Sequence, residues 1–248
     1  EKDYLIGVSM TGIASGKVLE LDMEAAANAV KEENAKIAKL IGIGPASRCT
    51  TTKPAGTTSL VLGTSSGIHA WHNEYYIRRL RVGKNEAIYS YLVKNHPELI
   101  EDEYFRPHDT AVISVPQMAP EGSITRSESA INLLERIKKV ATEWVVTGHR
   151  KGQNTNNVSA TVTVKSFEWK EVGEWMWSNR KSYNGLSILP FTEHTYKQAP
   201  FEDCSDKRYN FMLKSLMSVN LDQIVESDDN TDLSGEIACA GGACELTY

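Results

Sequence analysis

Residues 47–67 read SRCTTTKPAGTTSLVLGTSSG. The run 49–52 has the composition of a buried strand, and Pro54, Ala55 and Gly56 break it. Thr57, Thr58 and Ser59 follow, then the apolar residues 60–62. This reads as a strand, a tight turn and the first turn of a helix. A helix start leaves several backbone N–H groups without intrahelical partners and carries the positive end of the helix dipole. Gly56 lets the backbone approach a ligand, and the hydroxyls add donors without bulk. The segment therefore reads as an anion or phosphate cradle. An N-capped helix start needs the same residue types, so both readings stand. No lysine completes a GxxxxGK pattern, which excludes a Walker loop.

On either side of this stretch, apolar runs alternate with helical periodicity. Strands are expected at 4–10 (YLIGVSM), 49–52, 111–115 (AVISV), 158–164 (VSATVTV) and 186–189 (LSIL). Asp22 starts a helix to about residue 40, with Ala26, Val30, Ile37 and Leu40 near helical spacing. Ser127 starts a long one to about 147, with Ile131, Leu134, Ile137, Ala141 and Val145 as its stripe and Gly148 as its stop. Ser166 caps another, with Trp169, Val172 and Met176 on one face. A short helix is expected at 85–95. Alternation of this kind predicts an α/β fold of five parallel strands with right-handed helical crossovers, covered on both faces. The chain after Pro190 changes character. An extended linker (195–202) precedes a helix capped by Ser205, and an acidic stretch from Glu226 favours disorder. The expected division is 1–192, 193–225 and 226–248.

With 248 residues, 24% of them charged and 41% hydrophobic, the sequence reads as one large or two small globular domains. A net charge of −5 gives no electrostatic case for nucleic acid as a partner. No apolar run approaches the roughly 20 residues of a membrane span, and no signal peptide is expected. Four cysteines are too few for a secreted disulfide scaffold of this size, so the expected location is cytoplasmic. The chain opens on Glu1, with its first methionine at Met10 inside an expected strand. A fragment, a processed piece or a split-gene product is expected.

Cys239 and Cys244 enclose Gly241 and Gly242 near the end. The glycines allow the loop to close so that two sulfurs meet. A dithiol on a flexible lead-in suits thiol–disulfide exchange. Incidental cysteines and half of a zinc site are the other readings, and no second close Cys/His pair supports the zinc site. His69 and His72, three apart near the cradle, read as a metal pair or as groups near a nucleotide or cofactor edge; no metal is assigned. Arg78, Arg79 and Arg81 read as an ion-paired face. Asn154, Asn156 and Asn157 read as turn formers or as residues facing a cavity.

Four segments in order, KPAGTTSLVLGTSSGIHAWHNEYYIRR, NTNNVSATVTV, YNGLSILPF and the terminal CAGGACEL, resemble ribonucleotide reductase. The sequence is similar to the C-terminal part of the large catalytic chain, above all in the adenosylcobalamin-dependent class II ribonucleoside-triphosphate reductases. That resemblance implies the five-stranded second half of a ten-stranded α/β barrel, with a helical extension and a flexible redox tail. It implies that the backbone N–H groups of Ala55 and Gly56 and the hydroxyls of Thr57, Thr58 and Ser59 hold the phosphates of a ribonucleotide substrate. Cys239 and Cys244 become the catalytic shuttle pair. They reduce the disulfide formed at each turnover and are recharged by a thioredoxin-like protein.

The sequence departs from the family where the radical chemistry resides. No NPCGE-like loop for the radical cysteine is present, so the chain needs the missing N-terminal half and is expected to be inactive alone. Cys49 falls on the phosphate-loop strand, where a buried apolar role fits. Ser187 and Ile188 stand where the iron-dependent branch has adjacent tyrosines, and no RVxGY-type end marks the glycyl-radical branch. Adenosylcobalamin is the cofactor this implies, with no residue assigned to it. The alternative is a non-catalytic phosphate-binding or assembly module that docks on a separately encoded partner.

Overall fold

The computed structural model describes residues 4–192 and 196–226, and the backbone of 239–240 and 243–244. Two compact units divide the chain: Glu1–Trp71 with Glu121–Thr192, and His72–Pro120 with Glu193–Tyr248. Residues 72–120 thus group with the chain after 193. All but residue 226 and the two short backbone pieces of the expected tail, 226–248, lie outside the described residues.

The first unit is built on parallel strands. β1 (Leu5–Ser9) pairs with β2 (Arg48–Thr51), Leu5 opposite Arg48 and Ser9 opposite Thr51. On the other flank of β2, Thr52 bridges Val158 in parallel. That segment runs on into β6 (Thr161–Val164), which pairs in parallel with β7 (Ser187–Pro190). The strands thus follow the order β1, β2, β6, β7, with a stagger between β2 and β6.

Helices α1 (Met23–Ile41) and α4 (Ala130–Val140) pack against β2 and β6. α4 continues through one wide π-helical stretch, Ala141–Val146. Leu134, Ile137, Ala141 and Val145 are buried as the spacing predicts, together with Leu133, Val140 and Trp144, while Ile131 of the same stripe is half-buried at the edge of the core. Trp144 ties this rod to β2 twice. Its indole N–H donates to Thr51 O at 2.9 Å, and its carbonyl accepts the Thr50 hydroxyl at 2.6 Å. A Cβ on Gly148 would lie 1.8 Å from Thr50 Oγ1, so only glycine admits this contact.

Two helix faces differ from expectation. α1 buries Met23, Ala27 and Ala38, and leaves Ile37 and Leu40 exposed. Small side chains let this helix approach β2, where Asn34 Oδ1 accepts the Ala46 N–H at 2.9 Å. α5 (Trp169–Ser178) buries Val172 and Trp175 while Trp169 is exposed, since Trp175 reaches Glu135 and stacks on Tyr183.

The second unit corrects the five-strand expectation. Run 111–115 lies in β5 (Thr110–Met118), an inner strand of an antiparallel sheet, not in the parallel set. The order is β4 (Ile100–Asp102), β5, β3 (Tyr75–Gly83), β8 (Phe201–Asp203). Nine consecutive residue pairs, Tyr75↔Met118 to Gly83↔Thr110, join β3 to β5, and a hairpin-like pairing outweighs the crossover that alternation predicts. The strand also runs through Pro116, because β4 begins only opposite Ile113 and leaves the flank beyond it open to a residue with no N–H. α3 (Ala87–Asn95) stops at His96 as expected. α6 (Asp206–Met217) is capped by Ser205, whose hydroxyl accepts from Arg208 N. Met212 of α6 packs with Ile77 and Leu99.

Candidate functional site

Parallel α/β proteins place ligands beyond the carboxyl ends of their strands. In the first unit the ends of β1 and β2 carry segments 10–14 and 53–69. The second contains a five-residue helix, α2 (Thr57–Val61). Thr11 and Gly12 strap the two together. Thr11 Oγ1 donates to Ser65 O at 3.0 Å and accepts Gly67 N–H at 2.8 Å, while Gly12 N–H donates to Ser65 O at 3.0 Å. Gly67 has φ +57, and a Cβ there would lie 2.7 Å from Lys53 O. The return of the chain past Pro54 therefore requires glycine.

Ala55 and Gly56 lie together, as predicted. Their N–H groups converge on one oxygen, Ser66 Oγ, at 3.0 and 3.3 Å. Ser59 is buried, and its hydroxyl donates to Gly56 O at 2.6 Å, so it braces the turn from within. Thr58 is exposed; the Thr57 side chain lies outside the described atoms. Lys53, next to the turn, donates from Nζ to Asn157 Oδ1 at 3.0 Å and from its backbone to Ser9 Oγ at 3.0 Å. Two further hydroxyls beside the loop, Thr52 and Ser65, are buried with no hydrogen-bond partner among the described residues.

His69 is buried below this loop. Its Nε2 accepts the Thr161 N–H at 3.0 Å and its Nδ1 faces Ser66 O at 3.2 Å. Burial pulls its pKa below the ordinary value, the Ser66 carbonyl opposes that, and the nearby Arg136 guanidinium adds to it. His72 belongs to the other unit, where its Nε2 sits 3.1 Å from Asp203 and its ring stacks on Phe201. Each imidazole thus has its own neighbours, and among the described residues no group of three or more His, Cys, Asp or Glu is placed to hold a metal ion.

The asparagines do more than turn the chain. Asn156 Nδ2 donates to Ile6 O and Thr50 O, and Asn157 O accepts Thr52 N–H and the Thr51 hydroxyl. Arg78 and Arg79 are buried. Arg79 pairs with Glu202 at 2.5 Å, and Arg78 lies over the Phe201 ring at 4.6 Å. Cys49 is fully buried beside Asn34 and Ala46. At the far end, the backbone pairs residue 239 with residue 244 in antiparallel register, which sets Cys239 opposite Cys244. Their side chains lie outside the described atoms.

Sequence reasoning passed over Ser66 and Thr11. The available signal was a second cluster of small hydroxyls and glycine, TSSG at 64–67, soon after the first at 56–59. Two such clusters facing each other can close a loop with side-chain-to-backbone bonds.

No protein-family model matches the chain. An adenosylcobalamin-dependent ribonucleoside-triphosphate reductase of Lactobacillus acidophilus is 26% identical over 215 residues, 83% of this chain and 27% of its own length. A probable reductase of the same name from Dictyostelium discoideum is 28% identical over 237 residues, 90% of this chain and 29% of its own. The Euglena gracilis enzyme is 26% identical over 244 residues, 91% of this chain. The chain is similar over most of its length to these adenosylcobalamin-dependent ribonucleoside-triphosphate reductases. It spans between a quarter and a third of the length of these relatives. In fold it is similar to a B12-dependent (class II) ribonucleotide reductase, with a TM-score of 0.69 at 19% identity, covering 88% of this chain and 34% of that one.

Proposed function

We propose that this chain forms the C-terminal part of a class II ribonucleotide reductase, which reduces ribonucleotides, triphosphates in the first instance, to deoxyribonucleotides in the cytoplasm. The carrying observation is the convergence of the Ala55 and Gly56 N–H groups on a single oxygen at the carboxyl ends of β1 and β2. A turn that already holds an oxygen between two N–H donors suits a phosphate oxygen in the same place. Gly56, Thr57 and Thr58 complete the cradle, and Ser59 holds it in shape.

The parallel order β1, β2, β6, β7 and its stagger fit part of a barrel wall. Every residue of β1 is exposed, Leu5, Ile6 and Val8 included. Among the described residues β1 pairs only with β2. An open apolar edge of this kind invites another strand, and the N-terminal half of the catalytic chain is the partner proposed to supply it. That half would also bring the radical cysteine and the active-site thiols.

Adenosylcobalamin, named for the relatives, would generate the radical when bound. Cys239 and Cys244 are proposed as the shuttle. Two thiols give up two electrons and two protons to the active-site disulfide, become a disulfide themselves, and are restored by a thioredoxin-like dithiol. The cross-strand backbone register at 239 and 244 supports this pairing.

The test is reconstitution. The 248-residue chain is mixed with the complementary N-terminal part of a relative, CTP, adenosylcobalamin and thioredoxin with its reductase. Deoxynucleotide should form only when both parts are present. Cys239→Ser should abolish turnover with thioredoxin but retain it with dithiothreitol. Binding of the two parts without turnover would favour the docking module; absence of both binding and turnover would remove the reductase reading.

A further inference from the structure

Ser66 and His69 stand between the cradle and β6, and the reductase reading gives neither a role. The geometry around them is closely determined. A backbone N–H only donates, so the Thr161 N–H at 3.0 Å fixes Nε2 of His69 as the acceptor. The ring proton then sits on Nδ1 and donates to Ser66 O. The same carbonyl also accepts the backbone N–H of His69 at 3.1 Å. In the same peptide unit Gly67 N–H is held by Thr11 Oγ1, and on the other side of Ser66 the Ser65 carbonyl accepts from Thr11 Oγ1 and Gly12 N–H. The Ser66 main chain is thus anchored from both directions, and its hydroxyl oxygen receives both cradle N–H groups.

We propose that His69 is a positioning residue for the cradle: through Ser66 it ties the Ala55 and Gly56 N–H groups to the first residue of β6. The geometry stands alone; its consequence for ligand binding rests on the phosphate reading. A phosphate oxygen that takes the place of Ser66 Oγ meets donors already fixed in direction, which lowers the ordering cost of binding. The role requires a neutral ring, because an imidazolium would set a second N–H against that of Thr161. The surroundings favour neutrality. His69 is buried, and Arg136 of α4 lies beside it, its Nε donating to Ile68 O and its two terminal nitrogens holding Glu128 at 2.9 and 2.6 Å.

Glutamine can reproduce both bonds, with an amide oxygen toward Thr161 and an amide N–H toward Ser66. Leucine fills the space and offers neither. The 248-residue wild type, His69→Gln and His69→Leu are compared by amide hydrogen exchange and by titration with inorganic tripolyphosphate. In His69→Leu, exchange at Ala55, Gly56 and Thr161 should quicken about tenfold and tripolyphosphate affinity should fall by a similar factor. His69→Gln should restore both to within about threefold of wild type. Unchanged exchange at Ala55 and Gly56 in His69→Leu, or a glutamine variant as impaired as the leucine one, overturns the proposal. Should His69→Leu fail to fold, the nitrogen-15 shifts of the wild-type ring decide: a bare Nε2 and a protonated Nδ1 support the relay, and the opposite tautomer sinks it. A wild-type chain that ignores tripolyphosphate refutes the phosphate reading instead, and the exchange pattern still judges His69.

Discussion

The cradle in the first unit and the β3–β8 seam in the second bury polar groups beside strand ends, with opposite chemistry. The cradle uses neutral, short groups: serine and threonine hydroxyls, one neutral imidazole and backbone N–H groups. The seam uses charge. Arg79 donates to Ala199 O and Glu202, and Arg208 takes the other Glu202 oxygen at 2.6 Å. Neutral hydrogen bonds each contribute about 1 kcal/mol and mainly fix direction. Charge-assisted bonds are stronger but answer to pH and salt. A region that must accept an incoming anion gains from being neutral and exact in direction, whereas a region that only holds a sheet together can use paired charges.

The largest expected effect breaks the neutral side. Gly67→Ala places a Cβ on a residue at φ +57 and against the Lys53 carbonyl. Both the backbone conformation and the clash oppose it, at a combined cost of about 2–4 kcal/mol. Urea unfolding should show the loss. Exchange at Ala55 and Gly56 should quicken more than the global change accounts for, since the returning segment carries Ser66. A Gly67→Ala protein with wild-type stability would show that the cradle is not held by that close approach.

The same contrast explains how much was legible in the sequence. α4 could be read because its stripe, Leu134, Ile137, Ala141 and Val145, is made of residues whose burial is driven by size. The α1 face could not, because alanines and one asparagine make the contact while Ile37 and Leu40 stay exposed. β5 reads as a buried strand, but hydrophobic pattern says nothing about which neighbour it takes, and β3 is fixed only by tertiary pairing. In the cradle, Gly56 and the hydroxyls signalled a turn. The oxygen that fills it comes from Ser66, and the support from Thr11 and Thr161 comes from residues 56 and 92 positions from their partners. Motif reading is local, and this network is not.

On the charged side a smaller effect is expected. Glu202→Gln keeps the shape of the side chain but removes the shared carboxylate between Arg79 and Arg208. Glu202 is half-exposed, so solvent already screens part of the attraction, and the loss should be about 1 kcal/mol at neutral pH. The variant should also lose less stability than wild type when salt is raised to about 1 M, where the screening length falls to roughly 3 Å. Equal salt sensitivity in the two proteins would mean that the seam is held by packing on Phe201 and Ile77 rather than by its charges.

The finest distinction is in acid. Burial alone would raise the Glu202 pKa, but its bonds from Arg79 and Arg208 outweigh that and hold it below the ordinary carboxylate value. Its stabilising contribution is therefore present above about pH 4.5 and is lost as pH falls through the lower folded value. His69 is also lowered, chiefly by burial. A folded chain that refuses a proton the unfolded chain accepts loses stability from about pH 6.5 downward, until the folded ring itself titrates. The two windows do not coincide. Site-resolved amide exchange between about pH 7 and pH 5 should then show protection falling first at Thr161, Ala55 and Gly56, with Arg79 still protected. In His69→Gln that early step should vanish while the later one near Glu202 stays. Simultaneous loss at both places in wild type would mean that the ring at 69 is already charged near neutrality, and that the neutral wiring of the cradle is not what separates it from the seam.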